Sequence, residues 1–162
     1  MKSVLLAIFL LISYGLTAQV YTGGNAGVNV DNNNLYVDIA PIIGYRINSF
    51  NVGLSPVISY RRNPQDDETY SYGARIFSEY TLFKGFFLHA EAEALNVEDF
   101  ANRTPEGDTT RDWILAVPLG AGYRQPIGDR ITAHAMILYD VIEDERSPYE
   151  NPLVRAGINY NF

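Results

Sequence analysis

The sequence has no cysteine, which excludes disulfide bonds, thiol catalysis, cysteine-ligated zinc and a lipid-modified N-terminal cysteine. Lysine is nearly absent, because only Lys2 and Lys84 occur among the 12 basic residues. The formal net charge is −7, and an acidic chain does not offer the basic surface that neutralises nucleic-acid phosphates. We therefore expect no nucleic-acid partner.

The N-terminus has the pattern of a targeting segment. Met1 and Lys2 provide a short positive start, residues 3–16 are mostly apolar, and the small residue Ala18 follows. This pattern predicts a signal peptide over residues 1–18 that is cleaved after Ala18, with a retained N-terminal anchor as the alternative. The remaining residues, 19–162, suffice for one domain. An exported chain without cysteine is typical of a bacterial envelope protein.

No helical period follows Gln19. Apolar residues instead recur at every second position in eight segments, as in β-strands with one apolar face. The last segment is the clearest, since Val154, Ala156 and Ile158 alternate with Arg155 and Gly157. The first segment, around residues 21–30, is weak and rich in glycine. It is included partly because single-chain bacterial barrels close with an even number of strands.

The two faces of these segments predict which side meets lipid. One face is continuously apolar over about ten residues, whereas the other mixes charges with Gly, Ser and Asn. A soluble barrel would have to pack eight rows of Tyr, Phe, Leu and Ile into a lumen that holds only ordinary side chains. We therefore predict an all-β fold, an eight-stranded antiparallel up-and-down transmembrane β-barrel with its apolar face toward lipid and its charges inside. The segment length matches the roughly 9–11 residues that cross a bilayer.

Aromatic residues on the apolar face cluster near both ends of the segments. Amphipathic rings favour the two membrane interfaces, so we interpret these residues as two aromatic girdles. The girdle residues are Tyr45, Phe50, Tyr60, Tyr70, Tyr72, Tyr80, Phe86, Trp113, Tyr123 and Tyr139, with Tyr160 and Phe162 at the end of the last segment.

The connections alternate in length, which orients the chain. Tight turns are predicted at Arg46–Ser49, Phe83–Gly85 and Gln125–Asp129, whereas longer, acidic loops are predicted at Arg62–Thr69, Glu98–Arg111 and Glu143–Pro152, with a short connection at Asp31–Asn34. Outer-membrane barrels have short periplasmic turns and longer external loops. We therefore expect both termini in the periplasm and the acidic loops outside.

The signal peptide, the eight alternating segments and the terminal Leu-Val-Arg-Ala-Gly-Ile-Asn-Tyr-Asn-Phe resemble the small outer-membrane β-barrel family of the OmpA/OmpX type. The last strand resembles the C-terminal assembly signal of that family, which corresponds here to Val154, Ala156, Ile158, Tyr160 and Phe162. The resemblance implies location in the bacterial outer membrane, contact with its lipid and folding by the barrel assembly machinery. We expect a monomer. The family includes adhesins, lipid enzymes and structural proteins, so the fold does not decide the function.

Nine titratable residues fall on the inward face. They form the predicted lumen ionic network of Asp38, Arg75, Glu79, His89, Glu91, Glu93, His134, Asp140 and Arg155. Charges in a narrow, low-dielectric interior must pair, and we expect Arg75 and Arg155 to pair with the glutamates. This reading gives a salt-bridged plug that fills the barrel. The alternative is a narrow proton or cation path, for which Gly120 and Gly122 would leave room beside the two histidines.

Other candidate sites are weaker. Along His89-x-Glu91-x-Glu93, successive same-face residues lie roughly 6.5–7 Å apart, too far for a compact triad of ligands, so we expect no metal. The acidic clusters Asp66-Asp67-Glu68 and Glu143-Asp144-Glu145 are interpreted as solvated loop surface, with weak binding of calcium or of a lipid-bridging cation as the alternative.

The sequence therefore predicts a small outer-membrane barrel with a closed, charge-filled lumen and a structural or surface-interaction role. No loop contains a histidine that could serve catalysis at the outer rim, so we expect no enzymatic activity and no cofactor. A surface-binding or adhesion-type barrel that acts through its acidic loops, and a narrow proton- or cation-conducting barrel, are the alternatives.

Overall fold

The computed structural model of the chain describes residues 18–31, 34–62, 68–99, 110–144 and 146–162. The predicted signal peptide, apart from Ala18, lies outside the described residues. So do Asp66 and Asp67 of the first acidic cluster and Glu145 of the second. No helix in the described parts of the chain is long and apolar enough to span a membrane.

Eight strands form one closed antiparallel barrel, so the predicted fold class is confirmed. Each strand pairs with the next along the chain, and the first strand pairs with the last from Tyr21↔Asn161 to Gly27↔Arg155. The strands are β1 Ala18–Asp31, β2 Asn34–Ile47, β3 Phe50–Arg62, β4 Glu68–Thr81, β5 Phe86–Asp99, β6 in two segments, Thr110–Ala116 and Pro118–Pro126, β7 Ile131–Asp140 and β8 Leu153–Asn161.

The two segments of β6 belong to one strand, because both pair with β5 in a single register. The interruption at Val117 has a local cause. Pro118 has no N–H, so the ladder cannot continue through it. The N–H of Val117 donates instead to the Asp140 carboxylate, at 2.8 Å.

Burial alternates along the strands with the apolar side outward. Ile39, Ile58 and Ile137 are each more than 60% exposed on the exterior, whereas Arg75 and Arg155 are buried inside. This is the reverse of a soluble protein, and it is the arrangement expected of a barrel whose solvent is lipid.

The strands extend further toward the loop side than the sequence predicted. The connection predicted at Glu98–Arg111 is shorter, because β5 continues to Asp99 and β6 begins at Thr110. Glu98 and Arg111 lie opposite each other in this extension, and Arg111 donates to the Asn96 side chain at 2.6 Å. Opposite charges on facing strand positions favour continued pairing, a cross-strand effect that the hydrophobic alternation does not report.

Inward aromatic rings pack over glycines of the neighbouring strand. Tyr21 lies opposite Gly44 and Phe77 lies opposite Gly53. A Cβ atom added at Gly53 would lie 2.3 Å from the Phe77 ring, and one added at Gly44 would lie 2.2 Å from the Tyr21 ring. The absence of a side chain at these glycines is therefore what admits large rings into a narrow lumen.

We predict that Gly53→Ala destabilises the barrel by about 1–3 kcal/mol, because the added methyl group forces the Phe77 ring out of its packed position. The measurement is the urea midpoint of the barrel refolded into lipid vesicles. Gly128→Ala is the control, since a Cβ at Gly128 has no neighbour within 4 Å. Equal midpoints for the two variants would contradict this account of the lumen.

Candidate functional site

The centre of the lumen holds two buried arginines that share three carboxylates. Arg75 on β4 lies 3.3 Å from Asp38, 3.4 Å from Glu93 and 4.0 Å from Glu91. Arg155 on β8 contacts the same three groups, with a hydrogen bond to Glu91 and distances of 3.7 Å to Asp38 and 3.6 Å to Glu93. Each carboxylate therefore bridges both guanidinium groups, and the five side chains form one unit.

Three separate parts of the barrel wall supply this cluster. Asp38 comes from β2, Arg75 from β4 with Glu91 and Glu93 from the adjacent β5, and Arg155 from β8. The side chains point inward because each occupies the polar face of an alternating strand. All five are almost completely buried, so their pairing is screened very little by water.

A second branch of the network runs through His89. Its Nδ1 lies 3.2 Å from a Glu79 oxygen and its Nε2 lies 2.9 Å from a Glu91 oxygen. An ionised carboxylate only accepts hydrogen bonds, so with Glu79 and Glu91 both ionised each ring nitrogen donates to its partner. The ring also stacks on Phe77, with centroids 5.5 Å apart.

Glu79 connects this branch to the turn side of the barrel. It accepts a hydrogen bond from the Asn51 amide at 2.8 Å and pairs with Arg124 near the end of β6. With His89 doubly protonated, the four cations Arg75, His89, Arg124 and Arg155 face the four carboxylates of Asp38, Glu79, Glu91 and Glu93. The ion-paired side chains of the lumen therefore balance in charge.

Seven of the nine sequence-predicted lumen residues lie in this connected network, and His134 and Asp140 do not. His134 is buried and its Nε2 lies 2.5 Å from the Asn25 amide oxygen. Asp140 accepts hydrogen bonds from the backbone N–H groups of Val117 and Ile142. Among the described residues, no cation forms a salt bridge with Asp140. Its carboxylate instead stabilises the interruption of β6 that Pro118 imposes.

Tyr149, in the connection between β7 and β8, covers the loop side of the network. It is buried, and its hydroxyl donates to Glu93 at 2.6 Å. Its ring meets Tyr36 edge to face at 5.3 Å, and the Arg155 guanidinium lies 5.4 Å from its centroid. This residue lies in a connection that the sequence predicted to be a solvated loop, so the sequence analysis did not identify Tyr149 as a buried residue of the lumen.

The same connection is anchored to the barrel rim. The backbone N–H of Asp140 donates to the Asn151 side chain at 2.7 Å, and the Asn151 amide returns a hydrogen bond to the Asp140 carbonyl at 3.0 Å. Hydrogen bonds from the Tyr139 hydroxyl and from Asn151 hold the pKa of Glu143 below its usual value. These contacts fix the segment that carries Tyr149.

Aromatic rings pack inside the barrel at its turn side. Tyr21, Phe77 and Phe87 are buried there, and the guanidinium groups of Arg46 and Arg124 lie over the rings of Tyr21 and Phe87 at 5.3 and 4.4 Å. Phe87 also occupies the space over Gly122, since a Cβ there would lie 2.4 Å from its ring. The room that the sequence suggested beside this glycine is therefore filled.

Arg124, Asn51 and Tyr149 are the network members that the sequence analysis missed. Arg124 continues the inward register of Gly120 and Gly122, so the alternation of β6 carried a usable signal for it. Asn51 likewise lies on the inward face of β3. Tyr149 lies outside any strand, where no periodicity applies.

The metal-ligand pattern His89-x-Glu91-x-Glu93 is engaged in ion pairs. In the part of the chain that the structure describes, no group of three or more His, Asp or Glu side chains could hold a metal ion. The predicted assembly-signal residues lie on the exterior of β8 or, for Phe162, directly after its end. The rings of Tyr160 and Phe162 meet edge to face at 5.4 Å. The girdle rings lie on the same exterior surface, Trp113 being 62% exposed.

We predict that Arg75→Met destabilises the barrel by about 3–5 kcal/mol, because three buried carboxylates are left with one arginine between them. The control is Arg146→Met, which removes exposed ion pairs to Asp112 and Asp144 and should cost less than about 1 kcal/mol. Urea unfolding in lipid vesicles measures both. Similar losses for the two variants would contradict the central role of the shared cluster.

The comparisons with known proteins concern the fold. No protein-family model matches the sequence, and no curated protein sequence matches it significantly. The structure is similar to the N-terminal β-barrel domain of Pseudomonas aeruginosa OprF, with a TM-score of 0.51 and 15% identity over 90% of this chain and 100% of that chain. It is also similar to Neisserial surface protein A, with a TM-score of 0.50 and 14% identity over 90% of this chain and 96% of that chain. The chain therefore has the fold of the small eight-stranded outer-membrane β-barrels.

Proposed function

We propose that the protein is an integral bacterial outer-membrane barrel with a closed, charge-filled lumen and a structural or surface-interaction role. The observation that carries this proposal is the balanced network from Arg124 to Tyr149, which occupies the lumen between its two ends. Buried ion pairs of this kind resist disruption, because removal of one partner leaves an uncompensated charge.

The exterior supports the location. Isoleucines and leucines cover the middle of the strands, and aromatic rings lie toward both ends. Such a surface is stable in lipid with interfaces at the two aromatic zones. With apolar residues all around the barrel, we propose a monomer that contacts outer-membrane lipid on every side and has its termini in the periplasm.

The state of the lumen side chains supports a non-enzymatic role. His89 has carboxylates on both ring nitrogens and is 3% exposed. A general base must reach a substrate proton within hydrogen-bond distance, and this imidazole is committed to its two partners. The same commitment weighs against a proton path, because the network passes through guanidinium groups, which do not release protons in proteins.

The test measures two properties, the cellular location of the protein and the conductance of the purified barrel. We expect the protein in outer-membrane fractions of cells and, in planar bilayers, no stable ohmic openings from the purified barrel, because buried charged and aromatic side chains occupy the lumen. A water-filled porin in the same bilayers is the positive control. Large, stable openings would overturn the closed lumen, and absence from outer-membrane fractions would overturn the location.

We further propose that the exterior residues at the end of β8 serve recognition by the barrel assembly machinery. An unpaired strand exposes backbone groups that are costly in lipid, so the last strand must be recognised and closed against the first. Phe162 is 72% exposed and contacts Tyr160, which leaves its ring available to a partner.

We predict that Phe162→Ala lowers the amount of folded protein in outer membranes more than it lowers the urea midpoint of the refolded barrel. Phe83→Ala is the matched control, because Phe83 is also a highly exposed ring at the turn side but lies outside the last strand. Heat-modifiable folded protein is measured in membrane fractions. Equal amounts of folded Phe162→Ala and Phe83→Ala protein in the outer membrane would contradict the assembly role.

A further inference from the structure

A cavity of about 490 Å³ opens at the turn side of the barrel. It lies between the β2–β3 hairpin, the β4–β5 turn and the end of β6, at the same end of the barrel as the buried rings of Tyr21, Phe77 and Phe87. Arg46, Lys84 and Arg124 line it together with the polar side chains of Asn48, Ser49 and Thr81. None of the described residues that line it is acidic, so the cavity has a cationic wall.

The positive charge of this cavity is only partly compensated by the protein. Arg46 donates to the amide oxygens of Asn51 and Asn161, at 3.1 and 3.2 Å, and not to a carboxylate. Within the described ranges, Lys84 forms no salt bridge. Arg124 pairs with Glu79, a carboxylate that is also bound to His89.

The combination of cations and neutral donors indicates the class of ligand. Guanidinium groups bind phosphate oxygens through paired N–H donors, and a lysine adds a mobile point charge. The Ser49 and Thr81 hydroxyls and the Asn48 amide add donors without charge. A volume of about 490 Å³ lies within the range of ligand pockets and exceeds the need of a single carboxylate.

One side of the cavity adjoins the exterior aromatic zone. Tyr123 lines the cavity and is also exposed on the outer face, where its ring meets Phe86 at 5.0 Å. Phe83 continues this cluster at 5.6 Å from Phe86, directly beside Lys84 in the chain. Such aromatic clusters lie at the level of lipid headgroups, so the cavity can be reached from the membrane interface as well as from the aqueous end.

We propose that this cavity binds an anionic phosphate group, held by Arg46, Lys84 and Arg124. The phosphate comes either from the headgroup of an anionic phospholipid that enters beside Tyr123 or from a soluble phosphate that enters from the aqueous end. The site shares Arg124 with the ion-paired network of the lumen, whereas Arg46 and Lys84 take no part in its salt bridges, and it does not depend on whether the lumen conducts.

The experiment uses the purified, folded barrel with two probes. In the first arm, the barrel is released for native mass spectrometry from micelles doped with equal amounts of phosphatidylglycerol and phosphatidylcholine. In the second arm, inorganic phosphate is titrated into the barrel by calorimetry. Preferential retention of phosphatidylglycerol identifies the lipid source, and binding of inorganic phosphate identifies the soluble source.

The matched variants are Lys84→Gln and Arg130→Gln, which remove the same charge from the same end of the barrel. Lys84 lines the cavity, whereas Arg130 lies outside it and donates to the Tyr160 hydroxyl. We expect Lys84→Gln to weaken binding about fivefold, as one basic residue contributes to anionic lipid attraction, and Arg130→Gln to leave it near the wild-type value. Arg46→Gln is a second test on a strand residue, with folding checked by heat modifiability.

The proposal is supported if binding of either phosphatidylglycerol or inorganic phosphate is weakened by Lys84→Gln and retained by Arg130→Gln. Two outcomes overturn it. One is the absence of both phosphatidylglycerol preference and phosphate binding in the wild-type barrel. The other is an equal loss in the two variants, which would show a diffuse charge effect of the whole barrel end instead of a site.

Discussion

The structure depends on pairing charge inside a narrow barrel whose exterior is apolar. Burying an ion costs several kcal/mol of desolvation free energy unless a charged partner compensates it. The side chains that fill the narrow lumen need such partners in place of bulk water. Arg75 and Arg155 meet the requirement by sharing Asp38, Glu91 and Glu93, so that no one carboxylate belongs to one arginine. The cluster links different sides of the barrel wall to one another, because its members come from strands β2, β4, β5 and β8.

This cluster of ion pairs also constrains the register of the strands. A slip of one residue in a strand would turn its whole inward face toward lipid. For β4 such a slip would turn both Arg75 and Glu79 toward lipid. Glu93 would then lose its contact with Arg75, and His89 would lose its contact with Glu79. The glycines act in the same direction, because Gly53 must lie opposite Phe77 for the ring to fit. Charge pairing and steric fit therefore select the same register.

The sequence predicted the faces of the strands correctly because side chains alternate with a period of two, whatever strand lies next to them. It predicted the partners of the charges less well, because partners depend on register and on strand tilt around the closed barrel. Glu79 shows the difference. The sequence placed it inside with Arg75 or Arg155 as the expected partner, and the structure pairs it with Arg124 and His89.

Asp140 and Tyr149 show two further limits of sequence reasoning. Asp140 was correctly placed on an inward position, but its carboxylate accepts from backbone N–H groups, those of Ile142 and of Val117, which precedes Pro118 on the neighbouring strand. Only the pairing of β6 with β7 brings these residues together. Tyr149 enters the lumen from a connection, where hydrophobic alternation gives no information about direction. Irregular backbone and proline therefore determine the parts of the site that periodicity leaves open.

The two ends of the lumen differ in how completely their charges are satisfied, and this difference bears on function. At the loop side, the Tyr149 hydroxyl donates to Glu93 and its ring covers Arg155, so the carboxylates beneath it are enclosed. At the turn side, Arg46 and Lys84 remain without a carboxylate salt bridge among the described residues, beside an open cavity. Groups in the centre are committed to one another, and binding a ligand there would first require breaking a balanced network. A binding function within the described barrel is therefore best placed at its turn-side end, where the fold leaves positive charge and space together.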